Sequence, residues 1–142
     1  MKSSKKDNIM KTVNLKRASL SALIIWVTGV SAFVGSFYFP LMDNPDEQAN
    51  WFLTLALIPA IITGVYFYNK NGLRTNGLRL GGFMFLLTIL LDALITVPIF
   101  IIPSGGDHLS FFGDPGFWFL GIEYVLLVAT ANWMFSRKLK AV

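Results

Sequence analysis

Residues 85–100 read FLLTILLDALITVPIF. One aspartate, Asp92, stands among apolar residues, and no Lys or Arg falls inside the stretch. Extended outward, the run covers 78–102, and past Arg79 its only charge is Asp92. Three further runs have the same character: 20–39, 51–68 and 116–135, the last interrupted by Glu123. A helix needs roughly 20 apolar residues to cross about 30 Å of hydrocarbon. All four runs are near that length, and helices so apolar on every face are buried or lie in lipid. A membrane barrel would need short alternating segments, which are missing. The fold class predicted is therefore an all-α membrane protein with four transmembrane helices.

The segments between the runs agree. Residues 41–50, LMDNPDEQAN, are rich in turn formers and acids. Residues 69–77 form a polar turn, and 103–115 a longer glycine-rich loop. The chain divides into a basic N-terminal segment (1–17), a four-helix domain (18–136) and a basic tail (137–142). Residues 7–17 suit a short surface helix leading into the first span. That span has a basic flank like a signal peptide, but its apolar stretch is longer than the usual signal core, which favours a retained helix.

All 12 Lys and Arg residues fall in three segments. Lys2, Lys5, Lys6, Lys11, Lys16 and Arg17 precede the first run; Lys70, Arg74 and Arg79 follow the second; Arg137, Lys138 and Lys140 follow the fourth. Four antiparallel spans put all of them on one side. The other two loops carry Asp43, Asp46, Glu47, Asp107 and Asp114. The positive-inside rule then predicts that both termini are cytoplasmic. The basic clusters are expected to meet anionic headgroups of the lipid bilayer, at about 1 kcal/mol each. Nucleic acid is not an expected partner, because the charges hold topology rather than form a folded basic face.

Composition excludes several chemistries. With no Cys there are no disulfides, thiolate metal sites or cysteine nucleophiles. With one His, His108, a single chain cannot ligate haem through two histidines. No cofactor is predicted. Phosphate-loop, nucleophile-elbow, zincin and dinucleotide motifs are all missing. Asp92 and Glu123 as an acid–base pair would lack a nucleophile or metal, so the balance leans against an enzyme and no catalytic residue is assigned.

The halves of the chain look alike. Pro40 and Pro103 close the first and third runs, and Trp51-Phe52-Leu53 and Trp118-Phe119-Leu120 open the second and fourth. Two hairpins of the same orientation follow, either as an internal repeat or through the aromatic and proline preferences of membrane interfaces.

The acids are the candidate site. Asp92 lies roughly 3 Å and Glu123 roughly 4–5 Å beyond the midpoints of their helices, both toward the acidic loops. At one level on consecutive antiparallel helices, they are expected to be neighbours. Thr88, Asp92 and Thr96 share one helical face at i, i+4, i+8, continued by Gly81, Gly82 and Phe85. Thr130 shares the face of Glu123, with Tyr124 and Asn132 close to it. Thr28, Ala32 and Ser36 form a small-residue stripe on the first helix, which lets helices approach closely. An ionised acid at mid-bilayer costs several kcal/mol, and no basic residue is placed to pair with it. Three arrangements remain: both acids protonated, one proton shared between them, or hydration from a cavity open on the acidic side. The ligand- or proton-binding residues expected are Asp92, Glu123, Thr88, Thr96 and Tyr124. The competing reading is a protonated clasp between two helices. Such interhelical bonds average about 0.6 kcal/mol, little return for inserting two acids.

Pro59 and Pro98 interrupt their helices and are expected to free the carbonyls of Leu55 and Leu94. In the loop, Asp107, His108 and Asp114 match no strong metal motif, and no metal is predicted. Phe111, Phe112, Phe117 and Trp118 suit the headgroup level or a cap over a cavity.

The span count, Leu-Leu-Asp-Ala-Leu at 90–94, Phe-Trp-Phe-Leu-Gly-Ile-Glu-Tyr at 117–124 and the basic ends together resemble small bacterial four-helix integral membrane proteins of an uncharacterised family. The resemblance implies a bacterial plasma (inner) membrane and no activity. Small multidrug exporters are similar in size, but their membrane glutamate lies in the first helix, where this chain has no acid. The leading functional expectation is binding or transport of a cation, a proton or a small ligand at the intramembrane acids. The alternative is a non-catalytic accessory subunit packed against a larger membrane partner. Either role suits a homo-oligomer, because four helices enclose little space.

Overall fold

The computed structural model describes residues 13–70 and 75–140, without the side chains of 138–140. Residues 7–12 of the expected surface helix, and Arg74 in the polar turn, lie outside them. Among the described residues the chain is helical. Helix α1 spans Leu15–Ser36, α2 Pro45–Asn69 and α3 Gly77–Leu91. A π-helical segment, Asp92–Ile101, continues α3 and ends in one 3₁₀ turn, Ile102–Ser104. A short helix, α4, spans His108–Phe112, and α5 spans Pro115–Lys140. Four helices are long and apolar enough to cross a membrane: Leu15–Ser36, Pro45–Asn69, Gly77–Ser104 and Pro115–Arg137.

Asparagine starts three of the four. Asn14 accepts from the Arg17 N–H at 3.3 Å, Asn44 from Asp46 and Glu47 at 3.1 and 3.3 Å, and Asn76 from Leu78 and Arg79 at 3.0 and 3.2 Å. Each satisfies donors that the first turn leaves without an intrahelical partner. The second span therefore begins at Pro45, six residues before the expected Trp51. The reason is local. Asn44-Pro45-Asp46-Glu47 places a cap, a first-turn proline and two acids at the positive end of the helix dipole. The first span stops at Ser36, and residues 37–39 form turns rather than helix.

The long helices form a ring in which α1 packs on α2, α2 on α5, α5 on α3, and α3 on α1. Each sequential hairpin, α1/α2 and α3/α5, is thus a contact pair. Packing differs between the two ends. Toward the basic end the ring is closed, with Ala22, Ile61, Val65, Leu80, Met84 and Val128 buried together. Glycines allow this approach. A Cβ on Gly77 would lie 2.8 Å from Ala129 Cα, and one on Gly81 3.0 Å from the Val125 carbonyl oxygen. Gly77-x-x-x-Gly81 thus seats α3 directly on the backbone of α5, as small residues do in membrane bundles. Gly64 plays the same part between α2 and Ile25 of α1. Below this core, Tyr68 and Thr75 hydroxyls are bonded at 2.6 Å, and the Asn132 side chain donates to the Thr75 carbonyl at 2.8 Å. Asn69 donates to Asn132 at 3.1 Å.

The acidic end is held by one side chain. Gln48 is buried, and its amide N–H groups donate to the Ser36 and Phe39 carbonyls at 2.6 and 2.7 Å. Its oxygen accepts from the Leu41 and Met42 N–H groups at 2.7 and 2.8 Å. One residue thereby satisfies four backbone groups of the turn between α1 and α2.

Leu23, Val27, Ile58, Leu86, Leu90 and Leu126 are exposed around the outside. An apolar belt of this kind is untenable in water and normal in lipid. The chain is a multi-pass membrane protein. The small-residue stripe of α1 is not one surface: Thr28 is exposed, bonding back to the Ile24 carbonyl at 2.9 Å, whereas Ser36 is buried.

Gln48→Met keeps the shape of the clasp and removes its hydrogen bonds. It should destabilise the protein by about 1–3 kcal/mol, the cost of stranded polar groups. Unfolding titrations in detergent measure it, and an unchanged midpoint would show that water replaces the clasp.

Candidate functional site: a cavity lined by Asp92

Where the basic half of the ring is packed, the acidic half is hollow. A cavity of about 420 Å³ runs from the acidic loops into the bundle. Its mouth carries Asp46 and Asn50 of α2, Ser104, Ser110 and Asp114. Its walls are apolar and aromatic, with Phe33 of α1, Leu53 of α2, Phe85 of α3, Phe111 of α4 and Phe117 of α5. Along α3 the lining passes from Ser104 at the mouth through Thr96, Asp92 and Thr88 to Phe85, and Trp26 and Tyr124 add polar groups from α1 and α5. Among the described residues no Lys or Arg lines the cavity.

Asp92 is the first residue of the π segment, directly after regular α-helix ends at Leu91. It is 7 % exposed. The Trp26 indole N–H donates to its Oδ1 at 2.9 Å, and the Thr96 hydroxyl donates to the same oxygen at 2.7 Å. Among the described residues Oδ2 has no hydrogen-bond partner. The carboxylate is therefore held through one oxygen by two neutral donors, and the other oxygen is left to the cavity. Thr88 sits one turn earlier, bonded to the Met84 carbonyl at 3.0 Å and loosely to the Tyr124 hydroxyl at 3.4 Å. Tyr124 itself is 3 % exposed.

Four of the five site residues expected from the sequence thus line one cavity: Thr88, Asp92, Thr96 and Tyr124. Glu123 does not. It is half-buried beside Thr54 of α2 and makes no hydrogen bond with Asp92. Equal depth on adjacent helices is not enough for contact, because helical phase decides which side chain points inward. On α5 the inward row is Gly121, Tyr124 and Val128, and Glu123 lies about 100° away from Tyr124. Thr130 is exposed and bonds back to Leu126, and Asn132 belongs to the basic-end network. On α3, Gly82 has nothing near it, Gly81 packs on α5, and only Phe85 reaches the cavity.

The π segment explains the rest of the geometry. Pro98 has no N–H, so in α geometry it would orphan the carbonyl of Leu94. In π geometry the step is five residues, and the carbonyl facing Pro98 is that of Ala93. His108 Nε2 donates to the Ala93 carbonyl at 2.9 Å. The loop after the 3₁₀ turn folds back beside the π segment, so that α4 supplies from outside the donor that Pro98 lacks. Backbone freed at membrane depth is tolerated where another part of the protein satisfies it. Asp107 starts α4 with a capping box: its side chain accepts from the Ser110 N–H at 2.7 Å, and Ser110 Oγ accepts from the Asp107 N–H at 2.9 Å. The Ser110 bonds hold the Asp107 carboxyl below its ordinary range. That contribution is fully present above the ordinary carboxyl range and is lost as pH falls from there through the lowered value. The aromatic residues form a cluster above the cavity rather than a spread belt. Phe117 packs on Phe111 and Phe112 at 5.2 Å, and the Trp118 indole donates to the Phe112 carbonyl at 2.8 Å.

Two contributors were not among the expected residues. Trp26 had a signal in the sequence. An indole belongs at the membrane interface, and Trp26 stands well inside its span. His108 is legible only once the π step is known. Comparison of the chain with models of known families, with curated proteins and with solved structures finds no match.

His108→Leu should cost about 1–2 kcal/mol by stranding the Ala93 carbonyl. In a Pro98→Ala background, which restores the missing N–H, the same substitution should cost almost nothing. A double-mutant cycle on unfolding free energy gives the coupling directly, and additive costs would refute the link.

Proposed function

We propose that this chain is a membrane-embedded binding protein that admits a small ligand or cation from the acidic side of the bundle to Asp92. The observation that carries the reading is the one-sided cavity: about 420 Å³, open at the acidic loops and lined within by a buried carboxylate with a free oxygen. Ligand sites are concave, mostly apolar and fitted with a few placed polar groups, in volumes of about 300–1,000 Å³. This cavity has each of those properties. The accessory-subunit reading expects a dry contact at the acids, and no observation favours it here.

Orientation belongs to the same proposal. The three basic segments put the packed half toward the cytoplasm of a bacterial plasma membrane, with both termini inside and near anionic headgroups, and the cavity mouth outside. The packed basic half gives a ligand no continuous path across the bundle. Transport would require the core around Met84 and Val128 to open, whereas binding or sensing requires nothing further.

The chain contains no Cys, so single cysteines can be placed at will. Thr88→Cys should react with a membrane-impermeant trimethylammonium thiosulfonate applied from the acidic-loop side, and not from the other. Ala131→Cys, in the packed half, should react from neither. Failure of Thr88→Cys to react from either side would remove the site.

A further inference from the structure

Resting on that reading of the cavity, we infer that its ligand is an organic ammonium ion with an apolar body, its charged head at the free oxygen of Asp92 and its body between Phe33, Phe111 and Phe117. Three observations carry this. The first is charge. Among the described residues the cavity is lined by Asp46, Asp92 and Asp114 and by no basic group. A low-dielectric cleft of one sign gathers counter-ions and repels anions. Phosphates and carboxylates are therefore the wrong class.

The second is the donor set around Asp92. A bare metal cation asks for about six oxygen ligands. Here a cation would find the Asp92 carboxylate and the hydroxyl oxygens of Thr88, Thr96 and Tyr124, with one charged group among them, while the Trp26 N–H cannot ligate a metal. An ammonium N–H needs only one strong acceptor in line, and Oδ2 is that acceptor. Such charge-assisted hydrogen bonds are the strong ones.

The third is the wall. Trp26 and Tyr124 flank the carboxylate, and aromatic rings line the way out to the mouth. Ring faces attract an ammonium head and accept an apolar body equally well. A hydrated inorganic ion or a lone proton makes no use of such a wall. Gly121 helps to set its width, because a Cβ there would overlap the Phe85 ring. Asp46 and Asp114 at the mouth meet the charge before it is desolvated.

The test compares three probes of one shape, phenylbutylammonium, phenylbutanol and phenylbutanoate, by calorimetry on the full chain in zwitterionic nanodiscs, with empty discs as the partitioning control. Wild type should bind the ammonium about tenfold or more tightly than the alcohol, the scale of one charge-assisted hydrogen bond, and the carboxylate most weakly. Asp92→Asn should lose that margin and keep the affinity for the alcohol. Equal binding of ammonium and alcohol, or a margin that survives Asp92→Asn, overturns the ammonium class. So does binding of none of the three while Thr88→Cys still reacts from the acidic side, and in each of these cases the cavity reading stands. Loss of both binding and Thr88→Cys reactivity overturns the cavity reading as well. Should Asp92→Asn fail to fold, the order of the three probes on wild type decides.

Discussion

A carboxylate in the middle of a helical bundle needs donors, and Asp92 takes them from neutral groups. The Trp26 indole reaches it from α1 and the Thr96 hydroxyl from the next turn of its own helix. Both bond to the same oxygen. This interaction ties α1 to α3 beside the cavity. It also fixes which oxygen remains free. A basic partner would have closed the site as an internal ion pair. Two neutral donors hold the group without an ion pair, and its second oxygen stays open to whatever occupies the cavity.

The asymmetry along the bundle has a steric origin. Gly64, Gly77 and Gly81 bring helix backbones into contact toward the basic end. Toward the acidic end those positions give way to Phe33, Phe85 and Phe117, which hold the helices apart and leave space between the rings. The π segment adds to this. Its wider backbone step begins at Asp92, and its orphan carbonyl is satisfied by His108 from a returning loop. Proline, π geometry and histidine thus act as one device, which shapes the wall above the carboxylate while every freed backbone group at that point finds a partner.

Much of this was legible in the sequence. Apolar runs over four stretches specify four spans, and polar asparagines start three of them. The face Thr88–Asp92–Thr96 follows from a spacing of four. The limits are equally physical. Depth can be counted along a helix, but the phase of one helix against another depends on which small residues touch, so the expected pairing of Asp92 with Glu123 was not met. Gly77-x-x-x-Gly81 carried that information. The π step moved the orphan carbonyl by one residue, from Leu94 to Ala93, and no single-residue propensity announces such a step. The helix start at Pro45 was readable from Asn44-Pro45-Asp46-Glu47, which a hydropathy reading places in a loop.

The central claim is that water reaches Asp92 from one end only. Nitroxide labels placed singly at 96, 88, 84 and 80 on α3, in nanodiscs prepared in deuterated water, would read local water through deuterium electron-spin-echo modulation. The account predicts strong modulation at 96 and 88 and a fall to the lipid-interior level at 84 and 80. Equal, weak modulation at all four positions would contradict it, because Asp92 would then lie in a dry bundle.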